Sequence, residues 1–262
     1  MMMMDTILYQ HYMELTNKGN RSDAERYKSS FVPDYIYKFY SLGKDRIRDK
    51  LILDTLSDGK VYLSLFEQLN DPFDGDTWYI SDEFTQKGVD VKKIHDSLIN
   101  ARSQMRICSF TENDENNMPM WAYYANSHKG FCVKYHIDEN IKKNMFPISY
   151  VEQKLCFGLR NISNIFCEEF GSAEQRKQMH EVFLANVIKH KSWCMEKEIR
   201  LILFQEYFSL RPEKIYIGKD CSECYREKLI EIAYQLGCEV FLMESDKNSS
   251  KFVMHTKKIY KK

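Results

Sequence analysis

Between Asp34 and Ser41, Tyr35, Tyr37 and Phe39 alternate with Ile36, Lys38 and Tyr40, a period of two that predicts a strand. From Lys44 to Leu56 the period lengthens: Ile47, Leu51, Ile52 and Leu56 form a helical stripe, and Asp58-Gly59 stops it. Residues 5–28 predict a polar, amphipathic leading helix, and Val61 to Leu65 a second strand ahead of the turn Asn70-Asp71-Pro72. Asp90 caps a predicted helix reaching Gln104, whose stripe is Val91, Ile94, Leu98 and Ile99 with His95 beside it. Arg106 to Thr111 is a predicted strand. Pro119 suits the first turn of a short helix, Met120 to Ser127, closed at Gly130. Further strands are predicted over Phe131–Ile137, Pro147–Val151, Glu198–Phe204, Lys214–Ile217, Cys238–Met243 and Phe252–Ile259. Residues 172–191 and Tyr225–Leu236 predict helices.

Strands outnumber helices after residue 105, and the helices are too few for a parallel series of strand–helix–strand units. The pattern predicts an α+β fold with a mixed, largely antiparallel sheet and flanking helices. Residues 1–33 are expected to form an N-terminal helical extension and 34–262 a single α+β domain, since no linker or repeat divides them.

At 262 residues, 44% hydrophobic and 14% aromatic, the chain has ample material for a core. Basic and acidic side chains balance at 38 each, which argues against a dedicated nucleic-acid or membrane-surface binder. The Met-rich start has no basic flank and apolar stretch of the secretory kind, and no apolar run is long enough for a membrane helix. Eight scattered cysteines suit reduced thiols in a cytoplasmic protein better than a disulfide framework.

The chemistry concentrates in a few places. On a strand, residues two apart share a face, so Glu196, Glu198 and Arg200 are expected to line one side while Ile199, Leu201 and Leu203 feed the core. Spacing alone favours an ion-paired strand end. The functional alternative is an acidic pair stabilising a cationic, oxocarbenium-like centre. Asn70-Asp71-Pro72-Phe73-Asp74-Gly75 is either a tight loop plugged by Phe73 or a rigid presenter of Asn70 and Asp71 or Asp74 to ribose hydroxyls or an amide. Ser109 and Thr111 share one strand face, opposite Cys108 and Phe110, and their hydroxyls bond backbone or support a cleft. Trp121, Tyr124, Ala125 and His128 make an aromatic helix stripe, read as core packing or as a wall for a planar ring. The lone Cys221-Ser222-Glu223-Cys224 has no second pair for zinc, and no phosphate loop, nucleophile elbow or dinucleotide fingerprint is present.

The ordered set Ile36–Ser41, Asn70–Asp74, Cys108–Phe110, Met120–Tyr124, His128–Phe131, Trp193 and Glu196–Leu201 resembles a bacterial family catalogued as a domain of unknown function, twenty-nine seventy-one. The resemblance runs from about residue 35 to 245, and Tyr40 stands where many relatives carry Arg. More loosely, the chain is similar to ADP-ribosyltransferases of the Arg-Ser-Glu type. Lys38 takes the early basic position, Ser109-Phe110-Thr111 the middle hydroxyl strand and Glu196-Lys197-Glu198 the late acidic element.

That similarity implies an ADP-ribosyltransferase-like fold with NAD as substrate. Glu198 would stabilise the ribose cation and hold its 2′-hydroxyl, Glu196 would orient or deprotonate the acceptor, and Ser109 would position Glu198. Trp121 or Tyr124 would stack on nicotinamide and Lys38 would face the phosphates, while Tyr37, Asn70, Asp71 and Thr111 complete the implied binding set. The expected activity is NAD cleavage with transfer of ADP-ribose to a macromolecule or to water, in a toxin or defence setting. The alternatives are a silent ligand- or partner-binding module, and a metal-dependent nuclease using Asp71, Asp74, Glu196 and Glu198.

Overall fold

In a computed structural model of the chain, residues 4–74, 76–80, 90, 92, 96, 99–100, 102–157, 185–245, 250 and 252–259 are described. Two helices come first, α1 (Met4–Asn17) and α2 (Arg21–Ser29). Strand β1 (Tyr35–Tyr40), helix α3 (Arg46–Ser57) and the short strands β2 (Lys60–Tyr62) and β3 (Trp78–Ile80) follow. Next are β4 (Arg106–Thr111), α4 (Met118–Tyr124), β5 (Phe131–His136), α5 (Glu139–Lys142), β6 (Met145–Pro147), β7 (Ser149–Val151) and β8 (Leu155–Phe157). The last described stretch holds β9 (Ile188–His190), β10 (Glu198–Leu203), β11 (Tyr207–Ser209), β12 (Pro212–Ile217), α6 (Glu223–Leu236), β13 (Glu239–Ser245) and β14 (Met254–Lys258).

Local chemistry sets the helix ends. The Asp45 carboxylate accepts the N–H groups of Ile47 and Arg48 at the start of α3, and Asn117 accepts that of Met120 at the start of α4, where Pro119 occupies the first turn. Helix α6 stops at Gly237 with φ +66°, a left-handed value that glycine adopts without penalty.

Eight strands form one sheet in the order β14-β13-β12-β5-β1-β4-β10-β6. Neighbours are antiparallel except β12 and β13, which run parallel because α6 supplies the crossover between them. The fold is therefore α+β with a mixed, largely antiparallel sheet and flanking helices. One face is covered by Leu53 and Leu56 of α3 and Leu229, Ile232 and Ala233 of α6, packed on Ile36, Phe110, Val133, Ile199 and Ile215. The opposite face carries two separate apolar clusters. Met120 and Trp121 of α4 pack on Phe39, Cys132 and Tyr216, whereas Leu8, Tyr9, Tyr12 and Ala24 of α1 and α2 pack on Ile107, Phe146, Ile148 and Ile202. Between those two clusters the same sheet face is polar.

Several expectations change. The single leading helix is two helices, broken at Gly19 with φ +81°. The strand expected over Pro147–Val151 divides at Ile148: β6 joins the main sheet, and β7 leaves it to pair with β9 in a two-stranded ribbon. The described end of the helix expected over 172–191 is instead a 3-10 turn, Ala185–Val187, and strand β9. Its remainder lies outside the described residues, as do Gly75 and His95. Within Asp90–Gln104, positions 92, 96, 99, 100 and 102 are helical. No described helix is long and apolar enough to cross a membrane.

Candidate functional site

The polar strip is built on β1, β4 and β10, which are neighbours in the sheet although distant in sequence. Tyr37 pairs with Thr111, and Glu198, Arg200 and Ile202 pair with Thr111, Ser109 and Ile107. Paired residues share a face, so Tyr37, Ser109, Thr111, Glu198 and Arg200 all project to the side of α4. Glu196 arrives by another route than the predicted strand alternation. It ends the 3-10 turn Lys191–Glu196, Lys197 adopts a left-handed conformation with φ +44°, and β10 begins only at Glu198. That kink turns Lys197 out to solvent and leaves both flanking carboxylates buried. Thr111 fixes the kink by donating its hydroxyl to the Glu196 carbonyl at 2.5 Å, and Asn113 donates Nδ2 to the same oxygen at 3.1 Å.

The side chains then form a continuous chain of polar contacts. Tyr124 donates its phenol to Glu196 Oε1. Lys189 Nζ donates to Glu196 Oε2 at 2.7 Å and to Glu198 Oε2 at 3.1 Å. Arg200 donates Nε to Glu198 Oε1 at 2.8 Å, Nη2 to Asp74 Oδ1 at 2.5 Å and Nη1 to the Asn186 carbonyl at 2.8 Å. The loop after Leu69 borders both ends, since Asn70 lines the cleft with Tyr124 and Asp74 holds Arg200. Glu196 and Glu198 are each 5% exposed and Arg200 1%.

Environment separates the two glutamates. Burial pushes the Glu198 carboxyl up, but the charges of Arg200 and Lys189, with hydrogen bonds from Arg200 and Ser109, outweigh it and hold the group at about 2. Burial pushes Glu196 up, and Lys189 and Tyr124 only partly offset it, so its pKa stays above the ordinary value. Asp74 is also raised by burial against the pull of Arg200. Burial lowers Lys189, yet Glu198, Asp74 and Glu196 together raise it, so it stays charged.

A cleft of about 100 Å³ opens onto this network, lined by Tyr37, Phe39, Asn70, Tyr124 and Phe110 as well as Ser109, Thr111, Asp74, Lys189, Glu196 and Glu198. Ser109, Thr111, Tyr37, Asn70, Tyr124 and both glutamates are thus brought together. Lys38 also contributes to the lining, but strand alternation puts it with Ile36 and Tyr40, and its ammonium donates to the Ser109 carbonyl at 2.9 Å between β1 and β4. Asp71 is not in the lining: it is buried, and its Oδ1 accepts the N–H of Phe73, shaping the loop. Trp121 is 0% exposed and does not reach the cleft. Its indole donates to the Glu115 carbonyl at 2.7 Å and packs edge-on against Phe39, so it is a core residue.

The sequence reading did not single out Lys189, because its segment was assigned to the long helix. Strand β9 has only three residues, so no period marks it in the sequence. Lys189 and Arg200 occupy the space among Asp74, Glu196 and Glu198, and among the described residues no group of three or more His, Cys, Asp or Glu side chains is arranged to hold a metal ion.

Residues 120–201 match the model of a family described as a protein of unknown function (DUF2971). This supports, over that span, the resemblance read from the sequence. The DUF2971 span runs from α4 to β10, so it contains Tyr124, Lys189, Glu196, Glu198 and Arg200. Lys38, Asn70, Asp74, Ser109 and Thr111 precede the DUF2971 match and complete the cleft from outside it. No curated protein and no solved structure matches the chain significantly.

Proposed function

We propose that the cleft is the active site of an ADP-ribosyltransferase-like enzyme that cleaves NAD and passes ADP-ribose to a macromolecule or to water. One observation carries the reading: Glu198 is buried in the cleft with Ser109 of the adjacent strand, bonded by Arg200 and Lys189, with Glu196 beside it. In this reading the bond between ribose and the nicotinamide nitrogen breaks with its electron pair leaving on nicotinamide. Positive charge grows on the ribose, and a fixed carboxylate stabilises it most where water is excluded. Glu196, whose raised pKa suits proton exchange, accepts the proton of the incoming nucleophile.

In this reading nicotinamide enters the cleft, and ribose and phosphates extend from its open mouth. Tyr37 and Tyr124 offer aromatic surface for that ring. Lys38, whose ammonium meets a carbonyl at the strand seam, supplies positive charge close to the lining. A bacterial, cytoplasmic, toxin or defence setting belongs to the same proposal.

A second reading, a silent binding module, is favoured by one observation: Lys189 and Arg200 already engage both oxygens of Glu198. Incubation with nicotinamide-labelled NAD separates the two. Release of nicotinamide that disappears in Glu198→Gln supports the enzyme. Binding of NAD without release under any condition supports the module.

A further inference from the structure

We propose that Lys189 is the positioning residue of the acidic pair, and that the β7–β9 ribbon is the device that delivers it. The catalytic consequence rests on the NAD-cleaving reading; the positional claim does not. Strands β7 and β9 pair in parallel over three residues each, with Tyr150 opposite Lys189. Register partners project to the same side, so the ribbon carries a phenol and an ammonium to one place. The Tyr150 oxygen accepts the backbone N–H of Glu198 at 2.8 Å, which fixes where β10 begins. Lys189 then bridges Glu196 at 2.7 Å and Glu198 at 3.1 Å, lies 3.9 Å from Asp74 Oδ2, and sits 5.1 Å above the Trp193 ring.

The geometry explains why an ammonium stands here. Two carboxylates facing one cleft repel each other, and a compact cation with three donors can bond both while turning toward a third. The remaining partners are unequal. Glu198 keeps two bonds from Arg200 if Lys189 is removed, whereas among the described residues Glu196 keeps only the Tyr124 phenol. The charged and titratable groups facing the ammonium are Asp74, Glu196 and Glu198, with Arg200, Tyr124 and Tyr150 beyond them. Lys189 therefore acts mainly on Glu196: it sets the distance between the two carboxylates and keeps the upstream one ready to exchange a proton.

The test uses the full chain with carboxyl-carbon labelling of glutamate. In Lys189→Met the Glu196 titration midpoint, followed by NMR, moves upward because its cation is gone, and kcat for nicotinamide release falls by about 100-fold with KM little changed. Lys189→Arg, which restores the charge, recovers part of both. A merely structural lysine lowers the melting temperature and leaves kcat and KM of the folded fraction unchanged. Folded Lys189→Met with an unchanged Glu196 midpoint overturns the proposal. If Lys189→Met does not fold, Tyr150→Phe serves. It removes the acceptor of the Glu198 N–H without changing charge and is expected to lower kcat about 10-fold and shift the Glu198 amide resonance. An unshifted amide with unchanged kcat overturns the role of the ribbon. Should the wild-type chain release no nicotinamide, the NAD reading fails alone: the Glu196 midpoint and the Glu198 amide still decide the place of Lys189.

Discussion

Replacing Arg200 by Met tests whether the charge network is a matched unit or a set of incidental contacts. The guanidinium is almost wholly buried and bonds Glu198 through Nε at 2.8 Å, Asp74 through Nη2 at 2.5 Å and the Asn186 carbonyl through Nη1 at 2.8 Å. Methionine retains much of the apolar stem but leaves two buried carboxylates and a carbonyl without that donor. Removing one partner of a buried pair costs about 3–5 kcal/mol, because the other charge is stranded. For a chain of this size that corresponds to a fall in Tm of roughly 6–20 °C. Urea titration at pH 7 measures it directly, the midpoint moving while the slope stays constant. The double variant Arg200→Met/Glu198→Gln should regain part of the loss, since the stranded charge is removed with its partner. In the single variant the deficit should shrink as acid neutralises Asp74 and Glu198. A loss below about 1 kcal/mol in Arg200→Met, typical of exposed pairs, would refute the reasoning.

Three more outcomes follow from particular contacts. Glu198 is held at about 2 in the folded chain against an ordinary 4.5, so the stability of the wild type relative to Glu198→Gln should fall by about 3 kcal/mol as the pH drops from above 4.5 toward 2. Urea midpoints of both proteins across that range measure it, and a margin that grows in acid would contradict the assignment. Gly130→Ala should lower stability by about 3 kcal/mol or more, because its new methyl would lie 1.8 Å from the Tyr40 carbonyl oxygen, a backbone atom of the neighbouring strand; thermal melts check it. Tyr124→Phe removes the phenol that lowers Glu196, so the acid limb of nicotinamide release should move to higher pH, read from the kcat profile.

Much of the sheet was legible in advance because its strands carry their own pattern. β4, with Ile107, Cys108 and Phe110, was bounded correctly as Arg106–Thr111, and β1 and β10 to within a residue at each end. The short ribbons were not, since three-residue strands such as β3, β8 and β9 give too few positions for any period to show. The split at Ile148 was invisible for a related reason: both halves are extended, and only tertiary pairing separates them. At the site, Glu196, Glu198, Ser109 and Thr111 were found through residue type and spacing, although a left-handed Lys197 rather than strand alternation aims the first of them. Trp121 shows the limit in the other direction. A helix stripe states which residues share a side, and only the packing partners state that Tyr124 reaches the cleft while Trp121 is sealed under Phe39.

The strand order has a consequence for how the protein comes into being. The seam between β1 and β4 joins residues 71 apart in sequence at Lys38 and Ser109, and β10 must arrive later still to place Glu198. Long loops must therefore close before the cleft exists, which makes its assembly slow relative to the helices around it. During synthesis nothing resembling the cleft can form until β10 has emerged, so a chain interrupted before Glu196 carries helices α1–α5 and strands β1–β9 but neither α6 nor the acidic pair. Whatever chemistry the cleft performs therefore waits for the synthesis of β10, which brings the last of its lining residues, Glu198.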